Sequence, residues 1–464
     1  MRQHDTIIAK PSQAKLTGSV LGVLGVLSVF WFFLRALSTR QCALSCLLAL
    51  FAGSASLAVA ENLSGEPRHG LERLIQQAIL NHPDIAAARA ERRASEFDID
   101  AARNRFYPSP AVQLREDRDG TATVVSLTQP LWSGGRLTAG LDAAHSRSDS
   151  AAIAINEARY TLALRVVDAW AAYRQALGRA TAYAENLNLL QIYSESVGRR
   201  IVGGASAEVD RELVAARLAQ AQSDLAAARS AQRVAVAQLA RLLGQPLRAE
   251  DMETAPAQAA DDGSGERLPP IDEFLRLAVD YSPALRRFDA DIEAARHDVE
   301  QQQAILWPTV NLRAEHQRSD AATSVVVKDS RIMLTLDYAP DAGLSTGASA
   351  NAAQTRIITR QEKREAARRD LADTIQNDYE TYRASREQTR SLKRTLDANT
   401  AVLASYDRLL IAGKRSWLDV LNIARELTVA RTALADSETQ AVAARTRLRL
   451  HTGDLPGISI YQPS

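Results

Sequence analysis

The chain has 464 residues, 46% hydrophobic and 24% charged, which is enough for a folded protein and too balanced for a disordered one. Its formal net charge of +1 lacks the basic excess that nucleic-acid binding demands. The seven histidines are scattered, and no zinc-protease, phosphate-loop or nucleophile-elbow motif occurs, so neither an enzyme nor a cofactor is expected.

Residues 1–60 read as a signal peptide with an N-terminal extension. A basic stretch from Arg35 to Arg40 precedes an apolar run from Cys42 to Leu57. Ala58, Val59 and Ala60 then fit the small-x-small cleavage pattern. A second apolar run, Gly18 to Leu34, lies upstream. Either translation starts downstream of Met1 or the signal is extended, and the completeness of the segment from Arg35 favours the first. Lipidation at Cys46 is disfavoured by Ala43 before it and by the apolar residues after it. Cleavage before Glu61 would remove Cys42 and Cys46, the two cysteines of the chain, and with them any disulfide. The mature chain is expected to begin near Glu61. The intact mass of membrane-extracted protein checks this, and a retained Gly18–Leu34 segment would count against it.

The remainder is an internal duplication. Leu71 to Pro83 matches Ile271 to Pro283, and Phe106-Tyr107-Pro108 matches Leu306-Trp307-Pro308. Gly204 and Asp210 match Gly413 and Asp419, and Leu243-Gly244 pairs with Thr452-Gly453. The expected organisation is a first repeat at 61–244, a linker at 245–270, a second repeat at 271–453 and a tail at 454–464. Each repeat follows one plan of a helix, two strands and two long helices. In the first, a helix over about 84–105 is stopped by Pro108. Long helices follow at about 137–200 and 209–243, separated by a turn at Gly203 and Gly204. In the second, helices are expected at about 284–306, 345–412 and 418–450, with the turn at Gly413.

The long helices carry heptad spacing. Val166, Trp170, Tyr173, Leu177, Ala180, Ala184 and Leu187 step by alternating four and three, and so do Val214, Leu218, Ala221, Leu225, Ala228, Gln232, Ala235, Leu239 and Leu242. A stretch of roughly 60 residues spans about 90 Å. An antiparallel coiled coil and a tube across a compartment fit these helices equally well.

The strands alternate apolar and polar residues. Val112, Leu114, Val125, Leu127, Val310, Leu312, Ala314, Ile332, Leu334 and Leu336 form the apolar set, while Met333 blurs the polar one. A lipid-facing barrel and a half-buried soluble sheet share this pattern. Tyr107, Trp132, Trp307 and Tyr338 all fall where a strand meets a helix, which predicts an aromatic girdle at one membrane face. Charged turns are expected at the opposite ends, around 115–120 and 317–320. Four strands cannot close a barrel, and open edges are excluded from lipid, so the chain must oligomerise. Three copies supply about twelve strands.

Asn81-His82-Pro83, Tyr281-Ser282-Pro283, Gln129 to Arg136 and Ala412 to Asn422 together make the chain resemble the TolC family of outer-membrane efflux and secretion proteins. The resemblance covers about residues 70–453. It implies a mixed, mainly α fold: a coiled-coil helical barrel in the periplasm, plus four transmembrane strands per chain closing a 12-stranded barrel as a homotrimer in outer-membrane lipid. Leu410 to Asn422 is also similar to the branch serving type I secretion of adhesins. There a periplasmic adaptor and an inner-membrane ATP-driven exporter feed the duct with polypeptide cargo. Small-molecule efflux, a periplasmic adaptor protein and a trimeric surface fibre remain the other readings.

The resemblance further implies a periplasmic gate. Arg415 matches an arginine that latches the closed tip, Asp210 its partner, and Asp419 the first of two ring aspartates. Asn422 stands where the second is expected, and Leu410 replaces a tyrosine that helps close the tip. Opposed carboxylates at a narrow pore attract cations. Plain helix N-terminal chemistry, which favours acids in a first turn, is the other reading of Asp210 and Asp419, and it competes more closely at Asp210.

Overall fold

A computed structural model describes residues 70–117, 120–247, 269–321, 326–339 and 345–454. The expected signal region, most of the linker and nearly all of the tail lie outside the described residues.

Each repeat opens with one helix more than the sequence plan allowed. Helix α1 (Gly70–Asn81) precedes α2 (Pro83–Asn104), and α5 (Ile271–Tyr281) precedes α6 (Pro283–Gln303). The two breaks have one cause. Proline at the first helical position starts α2 and α6, and it disfavours helical geometry in the residue before it. The side chain of His82 accepts the backbone N–H of Asp84 at 3.1 Å, and Ser282 accepts that of Leu285 at 3.4 Å, so each break is also a cap. The duplicated segment at 71–83 and 271–283 is therefore a helix–cap–helix joint. A short 3-10 turn, Ala304–Leu306, follows α6.

The long helices lie close to their expected bounds: α3 at Arg136–Val202, α4 at Glu208–Leu243, α7 at Ser345–Ile411 and α8 at Trp417–Thr452. With 67 residues each, α3 and α7 are roughly 100 Å long. The α4 seam is a line of contact in fact: Val214, Ala221, Leu225, Ala228, Ala235, Leu239 and Leu242 are all buried. Along α3 the seam is looser, with Val166, Tyr173 and Ala180 buried and Trp170 and Leu177 half-buried. Helix α3 packs against α4, α6 and α8, and α7 packs against α6 and α8.

Apolar contacts gather in separate clusters along this length, as suits a rod. One joins Leu162, Val166 and Tyr173 of α3 to Ile75 of α1, Leu239 of α4 and Leu450 of α8. Another sits at the far end, around Tyr193, Val214, Leu410, Trp417 and Val420. A third packs Phe274 and Ala278 of α5 against Ile375 of α7 and Leu448 of α8. No described helix is long and apolar enough to cross a membrane.

The four strands form one antiparallel sheet in the order β1 (Ser109–Asp117), β2 (Gly120–Trp132), β3 (Thr309–Ala321) and β4 (Val326–Asp337). Besides the hairpins β1–β2 and β3–β4, the sheet joins the two repeats, because β2 pairs with β3. The charged segments expected as turns belong largely to the ladder: 115–117 lie in β1, and 317–320 lie in β3. Their backbones stay paired, and a charged side chain does not break a strand whose ladder continues on both sides.

Candidate functional site: the helix tips, the sheet and a buried polar joint

The α3–α4 and α7–α8 turns meet at one end of the helices. Both close by the same device. Gly204 (φ +71) and Gly413 (φ +69) take the left-handed conformation that ends a helix, and each donates to a carbonyl three residues back, Ile201 and Leu410. The next residues, Ala205 and Lys414, reach Arg200 and Leu409 at 2.7 and 2.8 Å. Gly203 has φ −81, needs no glycine, and corresponds to Ala412 in the second repeat.

The following helices start alike. The backbone N–H of Ser416 donates to Asp419 Oδ2 at 3.1 Å, while Ser416 Oγ accepts the Asp419 N–H at 3.3 Å. In the first repeat, Ala207 N–H donates to Asp210 Oδ2 at 3.3 Å, and Ala207 has no hydroxyl to return the bond. Both aspartates thus serve their own helix. The Ser416 backbone N–H and hydroxyl, then Arg415, hold the Asp419 carboxyl below the usual aspartate range. Asn422 lies one turn further along α8 and is half-buried.

Arg415 lies over the Tyr406 ring, 4.5 Å from its centroid, and 3.9 Å from Asp419 Oδ2. Within the chain its partners are therefore Tyr406 and Asp419, and Asp210 is engaged with Ala207. The two turns are joined by another residue. Trp417 is 3% exposed, donates its indole N–H to Ser206 Oγ at 3.2 Å, and meets Tyr193 edge-on at 5.7 Å. Tyr193 in turn donates to Asp407 at 2.9 Å; burial and that carboxylate raise its pKa. Leu410 is buried in this tip cluster.

At the other end, register decides what the sheet presents. Val310 faces Leu336, Leu312 faces Leu334, and Ala314 faces Ile332, so the apolar residues share one face. Val112 opposite Val125, and Leu127 opposite Ala314, extend that face over all four strands. Ile332, Leu334 and Leu336 are 76%, 67% and 69% exposed, far above what a covered face would show. The other face is polar and internally bonded. Arg331 donates to Glu315 at 2.9 Å, Arg313 lies 3.4 Å from the same carboxylate, and Asn311 and Thr335 both donate to Asp337. Tyr107, Trp132, Trp307 and Tyr338 are all exposed and lie at the helix end of the sheet, since Trp132 pairs with Val310 and Asp337 with Thr309. β1 and β4 are the two outer strands of the sheet in the chain.

A third feature had no sequence signal. His451 and Asp378 are 2% and 7% exposed and lie within hydrogen-bond reach at 3.2 Å. The other ring nitrogen of His451 contacts the Tyr160 hydroxyl, whose pKa is raised by burial first and by Asp378 second. Arg447 completes the joint, donating to Asp378 at 2.7 Å and to Asp168 at 3.1 Å. These residues come from α3, α7 and α8, so the joint ties the two repeats together.

Comparison with known proteins agrees with this geometry. A model of the family described as outer membrane efflux protein matches residues 74–245 and 274–454. The alkaline protease secretion protein AprF of Pseudomonas aeruginosa is 25% identical over 230 residues, which cover 48% of this chain and 46% of that protein. Protein CyaE of Bordetella pertussis is 26% identical over 273 residues, covering 55% and 56%. The chain thus spans about half the length of these curated relatives. The open state of the Neisseria gonorrhoeae MtrE outer membrane channel superposes with a TM-score of 0.68 at 17% identity, covering 83% of this chain and 89% of that one.

Proposed function

We propose, from the premise that this chain belongs to the outer membrane efflux protein family, that three copies close an outer-membrane barrel and a periplasmic helical tunnel for export. The observation that carries this reading is the sheet: an exposed apolar face, a bonded polar face, and outer strands that hydrocarbon cannot leave unpaired. The family and fold are those of transport channels. A periplasmic adaptor and a surface fibre have no need of two strand pairs joined in one lipid-facing sheet, and the family match sets them aside.

The cargo we propose is polypeptide, delivered by an inner-membrane ATP-driven exporter through a periplasmic adaptor. The likeness to a protein named for alkaline protease secretion supports this. Small-molecule efflux is the second reading, favoured by the family description. Deleting the gene separates them. A polypeptide vanishing from the culture medium at unchanged drug susceptibility supports secretion; raised susceptibility with an unchanged medium supports efflux.

For the gate we propose that Arg415 latches the closed tip and Asp419 supplies a cation-attracting ring. Asp210 is offered as the latch's partner because its turn touches that of Arg415 through Ser206 and Trp417. Such a bond requires Arg415 to leave Tyr406, or to reach a neighbouring protomer. Each exposed contact is weak, but three act together on one closed–open balance. Arg415→Ala is expected to raise single-channel conductance roughly several-fold in planar bilayers. Asp419→Ala is expected to weaken block by multivalent cations with little effect on opening. Because the Asp419 carboxyl is held low, block should persist as pH falls through the usual aspartate range and fade only below it. Unchanged conductance and unchanged block would reduce both residues to helix-start chemistry.

A further inference from the structure

The two helical hairpins of the chain, α3–α4 and α7–α8, are tied to each other down to their tips. Helices α3 and α8 form the join, with α4 flanking α3 and α7 flanking α8. Between the His451 joint and the tips, Gly178 of α3 meets Ala435 of α8 so closely that a methyl group on the glycine would collide with the alanine. Beside it, Arg179 donates to both carboxylate oxygens of Asp436, at 3.2 and 2.8 Å. Arg431 pairs with Glu185 at 2.7 Å. Tyr193 donates to Asp407 of α7, and Trp417 donates to Ser206 in the opposite turn. From Tyr160 to the end of α3 these ties span roughly 60 Å.

Exposed ion pairs are individually weak, so the shared core decides how firmly the hairpins hold together. At the tip end all four helices contribute to one cluster, through Val197 of α3, Val214 of α4, Leu403 of α7 and Val420 of α8. Val197, Val214 and Val420 are no more than 1% exposed. Parting the hairpins would return that apolar surface to water. The outer sides of the wall differ. Gln220, Ser223 and Ala227 of α4, and Gln388, Ser391 and Thr395 of α7, step by three and four as the buried seams do. Yet all six are exposed in the chain, and none is a large apolar residue. A contact made through such residues can open with little apolar surface exposed, and its polar groups regain water.

We infer that the two hairpins of one chain move as a single wall, and that the tunnel entrance widens along a polar seam between α4 of one protomer and α7 of the next. The inference rests on the trimer reading. Helices α4 and α7 are the outer helices of the wall, as β1 and β4 are the outer strands of the sheet, so a neighbouring copy that meets one pair of edges meets the other. Ala227 and Thr395 stand within about a turn of the same height above the tips. Widening at this seam leaves Trp417, Tyr193 and the tip core covered.

The test uses paired cysteines, since the periplasm is oxidising and cleavage before Glu61 would leave no other cysteine. Gly178→Cys with Ala435→Cys joins the hairpins within a chain, where the backbones approach closely enough for a disulfide. Ala227→Cys with Thr395→Cys joins neighbouring chains. The readout is the export lost on deleting the gene, whether of polypeptide or of small molecules, with non-reducing gels to show which link has formed. The intrachain link should leave export at the native level. The interchain link should give covalent trimer and bring export down to the level of the deletion, with recovery on reduction. Loss of export with the intrachain link, restored by reduction, overturns the inference, because opening would then separate the hairpins. So does undiminished export by covalent trimer, or the absence of any interchain link when Ala227→Cys is combined in turn with Ser391→Cys, Thr395→Cys and Ala398→Cys. Should Gly178→Cys with Ala435→Cys fail to assemble, Glu185→Cys with Arg431→Cys, closed by a short bismaleimide, takes its place. A native protein that forms no trimer at all would instead overturn the trimer reading, so the two failures stay distinct.

Discussion

Replacing Asp378 by alanine is expected to cost the folded protein about 3–5 kcal/mol, the usual penalty for removing one partner of a buried ionic group. Asp378 accepts from Arg447 and from His451 at once. Without it the His451 Nε2 proton has no acceptor, while its ring remains packed at 2% exposure between helices of both repeats. Arg447 keeps its bond to Asp168, but that carboxylate is largely exposed and screened by solvent. Because the joint links α3 to α7 and α8, the loss should appear as separation of the two repeats rather than fraying of one helix. The measurement is the temperature at which helical circular dichroism is lost in detergent, supported by limited proteolysis within the long helices. Asp378→Asn, which keeps an acceptor and loses the charge, should fall between the alanine variant and the native protein. If Asp378→Ala melts with the native protein, the joint contributes no net stability.

Ile332→Arg should cost about 2–4 kcal/mol in lipid, the range for an arginine at the bilayer midplane on the outside of a barrel. Alternation alone places Leu334 at mid-barrel, between Ile332 and Leu336. The register moves the centre by one rung. Between Val310 and Arg318 the middle of β3 is Ala314, and its partner is Ile332. Leu334→Arg, one rung nearer the helices, should therefore cost less than Ile332→Arg. Thr335→Arg should cost least, since Thr335 lies on the polar face and donates to Asp337 at 3.1 Å. The fraction of heat-resistant trimer on gels ranks the three. An equal loss from Thr335→Arg and Ile332→Arg would mean that the sheet does not face lipid with its apolar side.

The sequence by itself determined the features whose signals are local. Helix ends could be read because proline, glycine and first-turn acids act within a turn of where they stand: Gly204 and Gly413 end α3 and α7, and Asp419 lies in the first turn of α8. The seam of α4 was legible because heptad spacing puts its apolar residues on one stripe whatever they meet. The apolar sheet face was legible for the same reason, at period two. The prolines Pro83 and Pro283 mark a helix start in the sequence, but that a second helix ends just before each of them shows only in the structure.

Tertiary structure alone decided which distant groups meet. The pairing of β2 with β3 depends on both repeats folding side by side, and no residue in either strand announces it. Trp417 reaches Ser206 across 211 residues, and Tyr160 reaches His451 across 291. A lone histidine, tyrosine or aspartate in a helix has the same local signature whether it faces water or a buried partner. Periodicity fixes which way a side chain points around its own axis; only the packing of one helix against another fixes what stands there to receive it.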